Sequence, residues 1–133
     1  MGKNAATDQP EAVLLCGHED GEAFRELLTK VGNKWTIFVL LGLSMLAGQR
    51  GRFSVLNRSI QGVSRRMLAR TLRDLERAGQ VEREVFPEIS PRVDDELTAR
   101  GRSLLPAMQA LVDSVAAHAD DVDASRQRFD ATV

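Results

Sequence analysis

The 133-residue sequence has one cysteine and two histidines. A single cysteine excludes an internal disulfide framework and any zinc site built from several cysteines, and His18 and His118 add little toward another kind of metal site. We therefore expect no metal and no cofactor in this protein.

Signal-peptide and membrane-span patterns are also missing. The first ten residues are polar, and the apolar run at 13–16 is too short for a signal-peptide core. The uncharged run from Trp35 to Gln49 is too short to cross a bilayer, and it is better explained by a helix buried nearly all round. We expect a cytoplasmic protein with no membrane partner.

Enzyme motifs are absent as well. The sequence has no glycine-rich phosphate loop, no metal-ligand cluster and no paired-carboxylate signature. His18 follows Cys16 by two residues, a spacing at which side chains on a helix point apart, and no third residue is placed to orient the pair. The sequence predicts that the protein is not an enzyme.

Acidic residues are missing from one continuous stretch, residues 28–73. All 19 acidic residues lie outside it, so the net charge of −1 hides a strongly basic segment. Dense local basic charge is typical of proteins that contact a polyanion such as DNA. The basic residues of this stretch are Lys30, Lys34, Arg50, Arg52, Arg58, Arg65, Arg66, Arg70 and Arg73.

The end of the basic stretch has the pattern of an amphipathic helix. Leu68, Leu72 and Leu75 fall on one face of a helix that begins after Ser64 and stops at Gly79, and the arginines fall opposite. The segment RFSVLNRSI has helical spacing too, and a short turn around Gly62 joins it to the arginine helix. Two helices joined in this way predict a helix-turn-helix.

The residues after the arginine helix change from a helical period to a period of two. QVEREVF and RVDDEL flank the proline-bounded tip PEISP, which predicts a β-hairpin. The expected fold is mainly α with a small β-hairpin wing, a winged helix-turn-helix with flanking helices.

The flanking helices are predicted near residues 19–31 and 98–121. Both have apolar faces with no evident partner in so small a domain, so we expect them to pair two subunits. Pro106 predicts a kink or a late start in the last helix. The predicted organisation is a disordered arm at 1–10, the winged domain with its dimerisation helices at 11–122, and a polar C-terminal tail at 123–133.

Several motifs in a fixed order resemble the HxlR-type transcriptional regulators, a winged-helix group related to the MarR class. They are VGNKWTIFVL, RFSVLNRSIQGVSRRMLARTLRDLERAGQVEREVFPEISPRV and LTARGRSLLP, and the resemblance runs from Cys16 to Leu111. It implies a dimer that binds a pseudo-palindromic DNA operator. The sequence departs from the family pattern at Asp95, where an aromatic residue is frequent, and at Gly17, where proline is usual.

The helix-turn-helix geometry assigns roles to the basic residues. The start of a recognition helix reaches base edges, and an arginine fork suits guanine. The alternative is a solvated helix face with local salt bridges. We expect base contacts from Ser64, Arg65, Arg66 and Arg70, and phosphate contacts from Arg73, Arg50, Arg52, Ser54, Arg58 and the wing residues Arg83 and Arg92.

Cys16 is the candidate regulatory residue. Several members of the family use one N-terminal cysteine to sense oxidants or electrophiles, and Cys16 stands at the matching position. A free cysteine is also commonly a small buried hydrophobic residue, and the VLLC context fits that role equally well. With no second cysteine, oxidation would give a disulfide between subunits, a mixed disulfide, an adduct or an over-oxidised thiol.

The function predicted from the sequence is a homodimeric, sequence-specific DNA-binding regulator acting as a repressor. Its partners would be a double-stranded DNA operator, a second subunit and an oxidant or small-molecule effector. Two alternatives stay open: a winged-helix module that binds another protein, and a regulator that responds to a small molecule without a thiol switch.

Overall fold

The computed structural model describes residues 21–132 of the chain, so Cys16 and the predicted arm at 1–10 lie outside the described residues. A short 3-10 helix at Ala47–Gln49 precedes the first strand. The helices are α1 Gly21–Val31, α2 Lys34–Ser44, α3 Phe53–Ser59, α4 Arg65–Arg77, α5 Ala99–Arg102 and α6 Leu105–Ala131, and the strands are β1 Arg50–Arg52, β2 Val81–Phe86 and β3 Arg92–Leu97.

The hydrophobic core lies where α2, α3 and α4 meet the inner ends of the wing strands. Leucines from all three helices are fully buried there, as the 3.6-residue spacing predicts. The core fixes α3 and α4 as the two helices of the predicted helix-turn-helix. Its members are Val39, Leu40, Leu43, Leu56, Ile60, Leu68, Leu72, Leu75, Val81, Leu97 and Met108.

The wing is a three-stranded antiparallel sheet in the order β1-β3-β2. Strands β2 and β3 form the predicted hairpin, with Val81 opposite Leu97 at the inner end. The residues before α3, for which the sequence predicts no strand, form the third strand, in which Arg50 lies opposite Glu96. The wing is therefore tied to the chain on both sides of the helix-turn-helix.

Helix α2 is shorter and more exposed than the sequence predicts. Asn33 caps its start, because the side-chain oxygen accepts a hydrogen bond from the Trp35 backbone N–H at 2.9 Å. The helix ends at Ser44, and Met45 is 84% exposed. The expectation of one helix buried nearly all round through residue 49 was wrong, because the last third of that run forms a turn and the 3-10 helix.

The last helix begins late and continues beyond its expected end. Thr98 caps the short α5 with its hydroxyl on the Gly101 N–H, and Pro106 lies in the first turn of α6, which confirms the predicted late start. Helix α6 then runs unbroken to Ala131, so the structure has no break at the predicted boundary between residues 122 and 123.

Most of α6 stands clear of the domain. Its 27 residues span about 40 Å, yet within the described chain Met108 is its only buried residue. Apolar side chains recur along the rest of the helix, and Val115 and Phe129 are 61% and 70% exposed. None of the helices in residues 21–132 combines the length and the apolar character that a bilayer crossing needs.

Candidate nucleic-acid interface

Helix α4 is positioned by its cap and by its leucine face. The Ser64 hydroxyl accepts a hydrogen bond from the Met67 backbone N–H at 3.0 Å, and Gly79 ends the helix with a φ of 74°. Leu68 and Leu72 are fully buried against the core. The opposite face of the helix is consequently turned to solvent, and this is the face that the arginines occupy.

The arginines of α4 have no acidic partners in the described chain. Arg65, Arg66, Arg70 and Arg73 are exposed, and within residues 21–132 no carboxylate lies at ion-pair distance from them. Asp74, the nearest acid in sequence, pairs instead with Lys30 of α1 at 3.7 Å. The alternative interpretation is a surface helix held by local salt bridges, and residues 21–132 contain no such bridges to these arginines.

A cleft of about 430 Å³ opens between the starts of α3 and α4 and the wing. Four arginines, one each from β1, α4, β2 and β3, line it, together with serines and apolar residues that include Phe53. The guanidinium of Arg65 lies over the Phe53 ring, 5.1 Å from its centroid. The cleft brings together five of the residues that the sequence assigned to DNA contact, namely Arg52, Ser54, Arg65, Arg83 and Arg92.

The wing arginines are held by carboxylates of strand β3. Arg92 donates from Nε and Nη2 to Asp94 at 3.1 and 3.0 Å, and Arg83 donates from Nε to Asp95 at 3.2 Å. The Arg92 hydrogen bond lowers the pKa of Asp94, whereas burial raises the pKa of Asp95. Asp94 and Asp95 are therefore internal partners of the wing arginines.

Arg50 lies outside the cleft lining and donates from all three guanidinium nitrogens to acidic side chains. Nε bonds Asp94 at 3.1 Å, Nη1 bonds Glu96 at 3.1 Å, and Nη2 bonds Glu84. These hydrogen bonds, that to Glu84 first, raise the pKa of Arg50. The geometry supports a role in joining β1 to both wing strands, and the predicted phosphate contact of Arg50 stays a prediction.

The remaining predicted contacts lie outside the cleft. Arg58 is exposed in the last turn of α3, Arg66 and Arg73 are exposed on α4, and Arg70 lines a separate groove between α4 and the start of α2. Sequence reasoning did not find the partnership of Asp95 with Arg83, because the register of β2 against β3 decides it. The opposite charges facing each other across the predicted hairpin were the available signal.

Comparison with known proteins places the chain in a family. The model of the HxlR-like helix-turn-helix family matches residues 30–123. The chain belongs to this family. Its members are transcriptional regulators with a helix-turn-helix DNA-binding domain, and residues 53–77 contain the two helices of that motif. The family match ends inside α6, before its last two turns.

Individual relatives agree with the family assignment. A protein named as an uncharacterized HTH-type transcriptional regulator of Methanothermobacter thermautotrophicus is 44% identical over 84 residues, which are 63% of this chain and 62% of that protein. The chain spans about three fifths of the length of the first curated relatives it matches.

Two solved structures extend the likeness to the fold. A protein described as the transcriptional regulator ytfH of Salmonella typhimurium is 34% identical, with a TM-score of 0.71 over 77% of this chain and 89% of that one. The redox regulator HypR in its reduced form is 30% identical, with a TM-score of 0.63 over 77% of this chain and 98% of that one.

Proposed function

We propose that the protein is a homodimeric, sequence-specific DNA-binding regulator that represses transcription. The observation that carries the proposal is the group of cleft arginines beside an arginine face on α4 that has no carboxylate partners in the described chain. Such a surface lowers its own electrostatic repulsion when it binds phosphates and releases their counterions. We also propose a cytoplasmic location, because a regulator of this kind acts on chromosomal DNA.

The roles of the exposed residues follow from their places on the fold. Ser64, Arg65, Arg66 and Arg70 stand at the start and on the outer face of α4, where a recognition helix meets base edges in the major groove. Arg73 lies farther along and would contact phosphate. Arg52, Ser54, Arg58, Arg83 and Arg92 would fix the register on the DNA backbone without reading sequence.

The homodimer is supported by the apolar stripe of α6. Met108, Val115, Val122 and Phe129 recur every seven residues, and all but Met108 are exposed in the single chain. Leu27 and Leu28 of α1 are about half exposed as well. Pairing two copies through these helices would set two recognition helices about one DNA turn apart, about 34–36 Å, as a palindromic operator requires.

The regulating signal is an oxidant or electrophile that modifies Cys16, or a small molecule held between the dimerisation helices. The likeness to a redox regulator favours the first, while the geometry around Cys16 lies outside the described residues. A thiol signal would act by favouring one of two arrangements of the dimer. Cys16→Ser separates the two signals, because only the first needs the thiol.

The decisive experiment is a fluorescence-anisotropy titration against DNA from upstream of the protein's own gene, with shuffled DNA as control. We expect tighter binding to the native sequence and a log–log salt slope of about −0.9 per neutralised phosphate. Equal, salt-insensitive binding to both DNAs would overturn the proposal and favour a protein-interaction module. Diamide should release wild-type protein but not Cys16→Ser if the thiol is the switch.

A further inference from the structure

The least expected residue of the interface is Asp95 in strand β3. Its side chain is fully buried, and its Oδ1 accepts the Arg83 Nε hydrogen bond at 3.2 Å. Its Oδ2 is also buried and has no hydrogen-bond partner in the described chain. A buried carboxylate with one unpaired oxygen costs stability, which an apolar residue of similar size would avoid. Folding alone does not account for the choice of aspartate.

The partner of Asp95 is held by one nitrogen only. Arg83 uses Nε, and its two terminal nitrogens make no hydrogen bond or ion pair within residues 21–132. Arg50, in contrast, donates from all three nitrogens, and Arg92 donates two of its nitrogens to Asp94. Of these three arginines, Arg83 therefore keeps the most donor capacity for a ligand.

Arg83 also lies in the cleft, where it could contact a DNA phosphate. It lines the cleft with Arg52, Arg65 and Arg92, where positive charge from β1, α4 and the wing converges. The two terminal nitrogens of a guanidinium match two phosphate oxygens in geometry, but a long side chain must be ordered before it makes that contact. A residue that orders the side chain in advance lowers this cost.

We propose that Asp95 is a positioning residue that holds Arg83 by its Nε and leaves the terminal nitrogens to bind one DNA phosphate in the cleft. This inference rests on the proposed DNA-binding function. The Asp95 carboxylate stays behind the guanidinium, on the core side of the sheet beside Leu97, and does not contact DNA.

Replacing Asp95 can change DNA affinity in either direction, and the direction distinguishes two roles. Asp95 either positions Arg83 for DNA or only occupies Arg83 and keeps it from DNA. Loss of a negative charge near DNA would strengthen binding by simple Coulomb attraction. If Asp95 only occupied Arg83, its removal would free the arginine and strengthen binding further. If Asp95 positions Arg83, removal weakens binding despite the more favourable net charge.

The test is a double-mutant cycle on DNA affinity at about 0.15 M salt, using Arg83→Gln and Asp95→Leu in the full chain. One phosphate contact with a salt slope of about −0.9 corresponds to about a fivefold change in affinity at this salt concentration. We expect each single variant to lose about fivefold and about one unit of slope, and the double variant to bind no more weakly than Arg83→Gln alone.

Arg52→Gln is the matched control, because Arg52 lines the same cleft without an acidic partner in the described chain. The loss of DNA affinity in Arg52→Gln should multiply with the loss in Asp95→Leu, so the variant with both substitutions should bind about 25-fold more weakly than wild type. Asp95→Asn keeps the shape with a neutral acceptor, and it replaces Asp95→Leu if thermal melting shows that the leucine variant is unfolded. We expect Asp95→Asn to change affinity in the same direction by a smaller factor.

Two results would overturn the inference: unchanged or tighter binding after Asp95 is replaced, or losses at Asp95 and Arg83 that multiply. Both are distinguishable from failure of the proposed function. If the proposed function fails, the wild-type protein itself will not prefer its own upstream DNA over shuffled DNA, and both proposals are then wrong.

Discussion

Asp94 and Asp95 are neighbours in strand β3, yet their carboxylates serve different arginines. Asp94 accepts hydrogen bonds from Arg50 and Arg92, and Asp95 accepts one from Arg83. Successive side chains of a strand point to opposite faces, so two adjacent acids organise both faces of the wing. Their pKa values shift in opposite directions, and this has measurable consequences.

Asp94→Asn should destabilise the protein at pH 7. Hydrogen bonds from Arg92 and Arg50 lower the folded-state pKa of Asp94, so its ionisation stabilises the fold above the ordinary aspartate pKa of about 3.9. That contribution is lost as the pH falls through the lowered value. Denaturant unfolding at pH 7 and pH 3 should show the deficit of Asp94→Asn shrinking at the lower pH.

Asp95→Asn should show the opposite pH dependence. Burial raises the folded-state pKa of Asp95, so ionisation opposes folding, and wild-type stability from this group falls as the pH rises from about 3.9 through the raised value. Relative to wild type, Asp95→Asn should therefore gain free energy of unfolding between pH 3 and pH 7. A relative loss over that range would contradict this prediction.

Arg50 and Arg52 lie two residues apart in β1 and should separate stability from DNA binding. Arg50→Gln removes one of the two arginine partners of the buried Asp94, so we expect a lower melting temperature with an unchanged salt slope for DNA. Arg52→Gln should leave the melting temperature unchanged and weaken DNA binding about fivefold at 0.15 M salt. A slope lowered equally by both variants would assign Arg50 to phosphate contact, as the sequence predicts.

Gly101→Ala should destabilise the junction between α5 and the wing. A Cβ at Gly101 would lie 2.1 Å from the Gln80 carbonyl oxygen, and that backbone also accepts the Thr98 N–H hydrogen bond. We expect a loss of about 1–3 kcal/mol in unfolding free energy. Gly42→Ala is the control: its Cβ would lie 3.4 Å from Leu56 Cδ1, and the better helix propensity of alanine should make it neutral or stabilising.

Val115→Asp should dissociate the proposed dimer. Val115 lies in the middle of the exposed apolar stripe of α6, and a carboxylate there would be buried against its own copy in the partner helix. Sedimentation velocity at micromolar concentration should show a dimer for wild type and a monomer for Val115→Asp. Ala117→Asp adds the same charge on the opposite side of α6 and should stay dimeric, and a monomeric wild type would refute the dimer.

The fold was predictable wherever one local pattern was enough. The leucine spacing of α4 with its Ser64 cap, and the change to a period of two after Gly79, gave the recognition helix and the hairpin. Strand β1 was missed because three residues have no period of their own, and Arg50 becomes part of a strand only by pairing with β3, 46 positions away at Glu96. The end of α2 at Ser44 was not predicted either, because the uncharged run from Trp35 to Gln49 contains no clear helix-stop signal at that position.

The candidate site was predictable on α4 and less so on the wing. Helix geometry alone places Arg66 and Arg70 opposite the buried leucines, so their exposure follows from the sequence. The partner of Arg83 depends on the register of β2 against β3, whereas Arg92 bonds Asp94 two residues along its own strand. The sequence shows acids and arginines side by side in the wing, but only the three-dimensional arrangement shows that Asp95 pairs with Arg83 and Asp94 with Arg92.

The added strand has a mechanical consequence. β1 runs directly into α3, and β2 begins four residues after α4 ends, while both strands pair with β3. The same sheet therefore holds the chain where it enters α3 and where it leaves α4. The ion pair between Arg50 and Asp94 joins β1 to β3 at this point. In the proposed dimer, we therefore expect a hinge that changes the spacing of the recognition helices to lie outside residues 50–97, toward α2 or α6.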